Sequence, residues 1–184
     1  MAYQYLRQFK PGGSGDNDNW FMSISFEEIE GAEREMGITF PPQLREFYTE
    51  IGFGMLRSPI LPPKGYEFYS ANEILPPRVV ARFAKAIIDH RKTPFEEPIE
   101  YEDHWINHDA LDLLMPGDLP FFEIADSYRF LVMRPLSENA NAIWTSSGMK
   151  IEDSFERFIW RLYHEDPGYY DDLIEDHYGL PDHD

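Results

Sequence analysis

The sequence predicts an α+β domain in which a mainly antiparallel sheet is flanked by helices towards both ends of the chain. Apolar residues recur at helical spacing in the first third and again after residue 150, whereas Leu119 to Thr145 consists of short β-forming apolar runs separated by turn residues. A length of 184 residues with 42% hydrophobic residues favours one core over two.

Residues 1–18 read as a flexible extension, because Met1 to Lys10 runs into Pro11-Gly12-Gly13-Ser14-Gly15 and the polar Asp16 to Asn19. A single domain is expected over residues 19–184. Ser25-Phe26-Glu27-Glu28 has the spacing of a capping box and starts a helix whose stripe is Phe26, Ile29, Ala32 and Met36. Gly37 ends it, since glycine tolerates the left-handed conformation a helix terminus needs. Pro41-Pro42 presets a second helix burying Leu44, Phe47, Tyr48 and Ile51, which Gly52 and Gly54 close.

The aromatic run Tyr66 to Tyr69 suits a strand, and Asn72 to Leu75 a turn or short helix. Val79, Val80, Phe83, Ala84, Ile87 and Ile88 form the apolar face of a third helix, opposite Arg78, Arg82, Lys85 and Arg91. A short helix is expected around Trp105 to Leu114. Leu119 to Ile124 and Tyr128 to Met133 read as an antiparallel hairpin, Ala142 to Thr145 as a third strand. Lys150 leads into a helix with Ile151, Phe155, Phe158, Ile159 and Leu162 on its apolar stripe, and Tyr169 to Tyr178 into a final acidic helix.

The chain has 16 basic and 34 acidic residues, a formal net charge of −18. Binding to nucleic acid or anionic lipid relies on basic side chains that replace counterions, so this balance argues against both. The longest stretch without a charged residue, Asn139 to Met149, is far short of the roughly 20 apolar residues that span a bilayer. Met1 to Lys10 lacks the apolar core of a signal peptide, and there is no cysteine. A soluble cytoplasmic protein is expected. The charge is also lopsided: residues 1–92 hold 11 basic and 12 acidic residues, residues 93–184 hold 5 and 22. A basic partner is the natural complement of such a half.

Glu96, Glu97, Glu100, Glu102 and Asp103 form one acidic cluster, and Asp171, Asp172, Glu175 and Asp176 another. Trp160, Tyr169 and Tyr170 fall on polar faces and are candidate aromatic anchors within this acidic rim. His104 and His108, at i and i+4 beside Asp109, would share one side of a helix as metal ligands do. No Glu follows the first His, so the metalloprotease pattern fails, and Trp105 and Ile106 explain the segment as core anchors. No nucleophile elbow, phosphate loop or dinucleotide fingerprint occurs. No catalytic residue, cofactor or bound metal is expected. Two other readings stay open: a regulatory scaffold with several partners, and a metal-dependent hydrolase using His104, His108 and Asp109.

Two blocks of motifs resemble the SUKH superfamily, the Smi/Knr-like domains used widely as bacterial immunity proteins. The first is Ile29, Glu33, Met36-Gly37-Ile38, Phe40-Pro41, Leu44, Phe47-Tyr48 and Gly52-Phe53-Gly54. The second is Leu119-Pro120-Phe121-Phe122-Glu123-Ile124-Ala125-Asp126, then Phe130-Leu131-Val132, Ile143-Trp144 and Ser154-Phe155-Glu156-Arg157-Phe158. Together they bracket about Ser25 to Tyr163. The chain departs from the family at Ile51-Gly52-Phe53-Gly54, where Asn-Gly-Gly is usual, and at Ser127-Tyr128-Arg129, which replaces a Gly/Asn-rich hairpin. Pro76 to Asp112 and the tail after His164 look like additions to a minimal domain.

The resemblance implies a mixed sheet flanked by helices, with no catalytic residues, that binds a cognate toxin and blocks it. Toxin domains that act on nucleic acid are basic at their clefts. A basic nuclease-type toxin is therefore the expected partner, met by carboxylates standing where phosphates would sit.

Overall fold

The computed structural model describes residues 2–13, 19–57, 71–93, 98–101, 104–106, 108–124, 129–165, 169–170 and 173. After a 3₁₀ helix (Gln4–Phe9) come β1 (Trp20–Met22), α1 (Phe26–Met36), α2 (Pro42–Glu50), β2 (Phe53–Arg57), β3 (Ala71–Ile74) and α3 (Pro77–Lys92). The second half contains β4 (Ile99–Tyr101), β5 (His104–Ile106), α4 (His108–Leu113), β6 (Leu119–Ile124), β7 (Arg129–Met133), β8 (Ile143–Thr145), β9 (Lys150–Glu152) and α5 (Phe155–His164). Seven strands form one sheet in the order β1-β2-β3-β6-β7-β8-β9, every neighbouring pair antiparallel, while β4 and β5 pair separately. This is the expected α+β architecture.

The capping box at α1 is complete: the Ser25 N–H donates to Glu28 Oε2 at 3.0 Å and the Glu28 N–H donates to Ser25 Oγ at 3.2 Å. Gly37 closes the helix with φ 70°. Ile29, Ala32 and Met36 are buried, but Phe26 is half exposed, with the Arg45 guanidinium 4.8 Å above its ring. Glu33 then fixes the link to α2, accepting from the Phe40 N–H at 3.0 Å and Arg45 Nε at 3.1 Å. At the far edge, β1 lies directly on the backbone of Gly52 and Gly54, where any β-carbon would collide with the carbonyl oxygens of Met22 and Trp20. Both glycines also have positive φ, so this edge requires them.

Strand β6 is the middle strand and is buried along almost its whole length. Proline is rare in such a position because it removes a ladder donor. Pro120 is accommodated by a bulge: Pro120 pairs with Val132 and Phe122 with Leu131, leaving Phe121 as the extra residue. Both rings therefore reach Phe158, at 6.1 Å from Phe121 and 5.1 Å from Phe122. Phe155 continues the cluster to Phe47 of α2 at 5.3 Å, and Phe47 to Tyr3 at 5.1 Å. Elsewhere α3 packs on α1 and β6, and its Phe83 lies 5.6 Å from Phe130 of β7.

Several expectations are corrected. The extension is not loose over its first part: Tyr3, Leu6 and Phe9 recur every third residue, the 3₁₀ period, and enter the core. Asn72 to Ile74 form a strand, because β2 and β6 supply hydrogen-bonding partners on both sides. Trp105 and Ile106 are likewise in a strand, and only the part from His108 is helical. Ile151 belongs to β9, and α5 begins after Ser154, whose Oγ accepts from the Arg157 N–H at 3.3 Å. The strand expected at Tyr66 to Tyr69 lies outside the described residues. Of the helix expected from Tyr169 to Tyr178, Tyr169, Tyr170 and Leu173 are described and helical.

The Ser25 backbone N–H, followed by its hydroxyl, holds the Glu28 carboxyl below its usual value. A depressed carboxylate adds stability above its unfolded value and loses it as pH falls through the folded one. This contribution is expected to be intact at neutral pH and to fade in acid below the ordinary glutamate range, and Glu28→Gln should flatten that acid limb. Ser25→Ala is expected to cost about 1 kcal/mol in urea unfolding at pH 7; no loss would mean that the cap contributes nothing.

Candidate partner-binding surface

Of the acidic segment, Glu100 lies in the β4–β5 hairpin. Ile99 pairs with Ile106, Glu100 with Trp105 and Tyr101 with His104. Alternation along β4 turns Ile99 and Tyr101 to the core and leaves Glu100 exposed to solvent. Ile106 is fully buried and anchors the hairpin, while the Arg82 guanidinium lies 6.0 Å from the Tyr101 ring. Behind it, α4 is stapled to the end of α3. His90 Nε2 lies 3.0 Å from Asp112 Oδ1, and Arg91 donates to the carbonyls of Asp112 and Leu114 at 2.7 and 2.8 Å. The hairpin is thus held through Ile106, and α4 is fixed to α3.

His104 makes a third tie. Its Nδ1 is 2.8 Å from Glu123 Oε2 on β6, and its Nε2 is 3.8 Å from Glu73 Oε1 on β3. His104 and His108 do not share a helical face, because His104 lies in β5 and α4 starts at His108. The side chains of His108 and Asp109 lie outside the described residues. The constellation formed instead, Glu73, His104 and Glu123, has ligand-type atoms within 4.8 Å of one another. Sequence spacing does not reveal it, since the three residues come from three strands; recognising Asn72 to Ile74 as a strand would have offered the first clue.

Trp160 lies on the outer side of α5, 44% exposed, with its ring stacked on His164 at 4.7 Å. His164 also meets Tyr5 at 4.8 Å and Tyr163 at 4.7 Å, and Gln8 Nε2 donates to the Tyr163 hydroxyl at 3.0 Å. An aromatic patch therefore joins α5 to the N-terminal 3₁₀ helix. Sequence reading singles out Trp160 but not Tyr5, because the segment holding Tyr5 reads as flexible.

Tyr169 and Tyr170 are not exposed anchors. Tyr170 is 1% exposed, packs on Phe122 at 5.8 Å and donates its hydroxyl to Asn72 Oδ1 at 2.6 Å. Tyr169 is buried beneath the Arg161 guanidinium, 3.8 Å above its ring, and burial pushes its hydroxyl well above the usual tyrosine value. Arg161 in turn lies 2.7 Å from Glu165 and 3.6 Å from Glu152. The apolar space beside Phe122 and Phe158 outweighs the acidic neighbours that suggested a rim. Glu96, Glu97, Glu102, Asp103, Asp171, Asp172, Glu175 and Asp176 lie outside the described residues.

The two aromatic positions should behave oppositely. Tyr170→Phe, which strips a buried hydrogen bond, is expected to destabilise by about 1–3 kcal/mol in urea unfolding. Trp160→Ala is expected to stay within about 0.5 kcal/mol of wild type. Equally small effects would place Tyr170 at the surface.

Among the described residues no helix is long and apolar enough to cross a membrane. No solved structure matches the chain significantly. A curated relative, Immunity protein YxxD of Bacillus subtilis (strain 168), is 28% identical over 176 residues, 96% of this chain and 99% of its own. The model of the SMI1 / KNR4 family (SUKH-1) matches residues 23–161, which takes in the helical pair, every strand of the main sheet except β1, and most of α5. With that match over well more than half of its length, the chain belongs to the SMI1 / KNR4 family (SUKH-1).

Proposed function

We propose that this chain is a non-catalytic immunity protein that binds a cognate toxin and neutralises it in the cytoplasm. The observation that carries this reading is its similarity, over nearly the full length of both chains, to a relative named an immunity protein. The charge supports a basic partner: residues 93–184 hold 22 acidic residues against 5 basic ones. A nuclease domain, basic where it grips phosphate, is the toxin class this balance fits.

In this reading Glu96, Glu97, Glu100, Glu102, Asp103, Asp171, Asp172, Glu175 and Asp176 meet the basic toxin. Trp160 is the aromatic anchor, a residue type enriched where interfaces concentrate their affinity. Long-range attraction sets the association rate, while buried aromatic contact sets the lifetime of the complex.

The test uses the purified chain as bait in lysate of its native host, washed at low and then high salt, with mass spectrometry of what is retained. One basic protein whose toxicity is suppressed by co-expression of this chain is the expected result. Several loosely held partners would favour a regulatory scaffold. With the partner in hand, reversing Glu96, Glu97, Glu100, Glu102 and Asp103 to Lys is expected to slow association on the order of tenfold at low salt and to flatten its salt dependence. Unchanged association would remove this segment from the interface.

A further inference from the structure

Glu73 and Glu123 stand directly opposite one another in the β3–β6 ladder. Like charges at such a position destabilise a sheet. The hairpin brings His104, only 8% exposed, over this pair, and its ring spans the two carboxylates. Nδ1 lies 2.8 Å from Glu123 Oε2, and Nε2 faces Glu73 Oε1 across 3.8 Å. That separation is too long for a hydrogen bond between these two atoms. The gap is close to the separation of two ligands on one ion: about 3.4 Å for tetrahedral bonds of about 2.1 Å. A carboxylate on the outer nitrogen of a ligating histidine is also the arrangement that fixes the ring and raises its basicity in metal sites.

We propose that Glu73, His104 and Glu123 form a binding site for a borderline divalent transition-metal ion of the zinc type. His104 Nε2 and Glu73 are direct ligands, Glu123 orients the imidazole, and water completes the coordination. An imidazole nitrogen with carboxylate oxygen favours such an ion over Ca²⁺ or Mg²⁺, which prefer oxygen throughout. The ion would neutralise the two facing carboxylates and pin the hairpin to the main sheet. This inference stands on the local geometry and is independent of the immunity reading.

The test is calorimetric titration of chelator-treated, untagged full-length protein with Zn²⁺, paired with thermal unfolding. One saturable equivalent and a zinc-dependent rise in Tm are expected. Glu73→Gln, which keeps the shape of the side chain, should abolish both, and Glu123→Gln should weaken binding about 10–100-fold. Circular dichroism of each variant separates loss of the ion from loss of the fold. Absence of a stoichiometric site would overturn the proposal, as would zinc held equally well by properly folded Glu73→Gln protein.

Discussion

Phe121 and Phe122 are consecutive residues of the central strand that both press on Phe158, and most of the structure is arranged around that fact. In a regular strand they would point to opposite faces. The bulge that releases Phe121 from pairing accommodates Pro120 and gives α5 a double aromatic seat. From there ring contacts run through Phe155 and Phe47 to Tyr3, so α5, α2 and the N-terminal 3₁₀ helix converge on one point of the sheet. Truncating a buried Phe costs about 3–5 kcal/mol, against a total stability of about 5–15 kcal/mol for a domain. A ring lost at this seat would threaten the whole fold.

The same strand positions the proposed binding surface. One residue beyond the paired rings, Glu123 reaches out to His104 and ties the hairpin to the sheet. The acidic hairpin therefore stands on a rigid base, although it belongs to a segment that looks like an addition to the minimal domain. A preorganised display of charge loses less entropy on association than a free chain carrying the same residues. At the far end of the aromatic chain, Trp160 projects from the helix that Phe155 and Phe158 hold down.

The parts of the fold legible in the sequence are those set by short-range chemistry. Ser25 with Glu28, Gly37, and Pro41-Pro42 mark helix ends through contacts within a few residues, and all three behave as expected. The parts that were not legible depend on distant partners. Asn72 and Glu73 are poor strand formers, and only the flanking β2 and β6 make them a strand. Tyr170 sits among acids in sequence, yet Phe122, 48 positions earlier, decides its burial. Counting charges gave an acidic half of the sequence, whereas the exposure of Glu100, the turn of Tyr169 and Tyr170 into the core and the Glu73–His104–Glu123 set required tertiary structure.

In the proposed reading the hairpin surface and the outer face of α5 receive a protein partner. Hydrogen exchange measured on the free chain and on its purified complex with the captured partner separates this from other modes of binding. Slowed exchange in β4, β5 and the last turn of α5, with α1 and α3 unchanged, is the predicted result. Protection confined to α1 or to the β1 edge, with the hairpin exchanging as in the free protein, would contradict it.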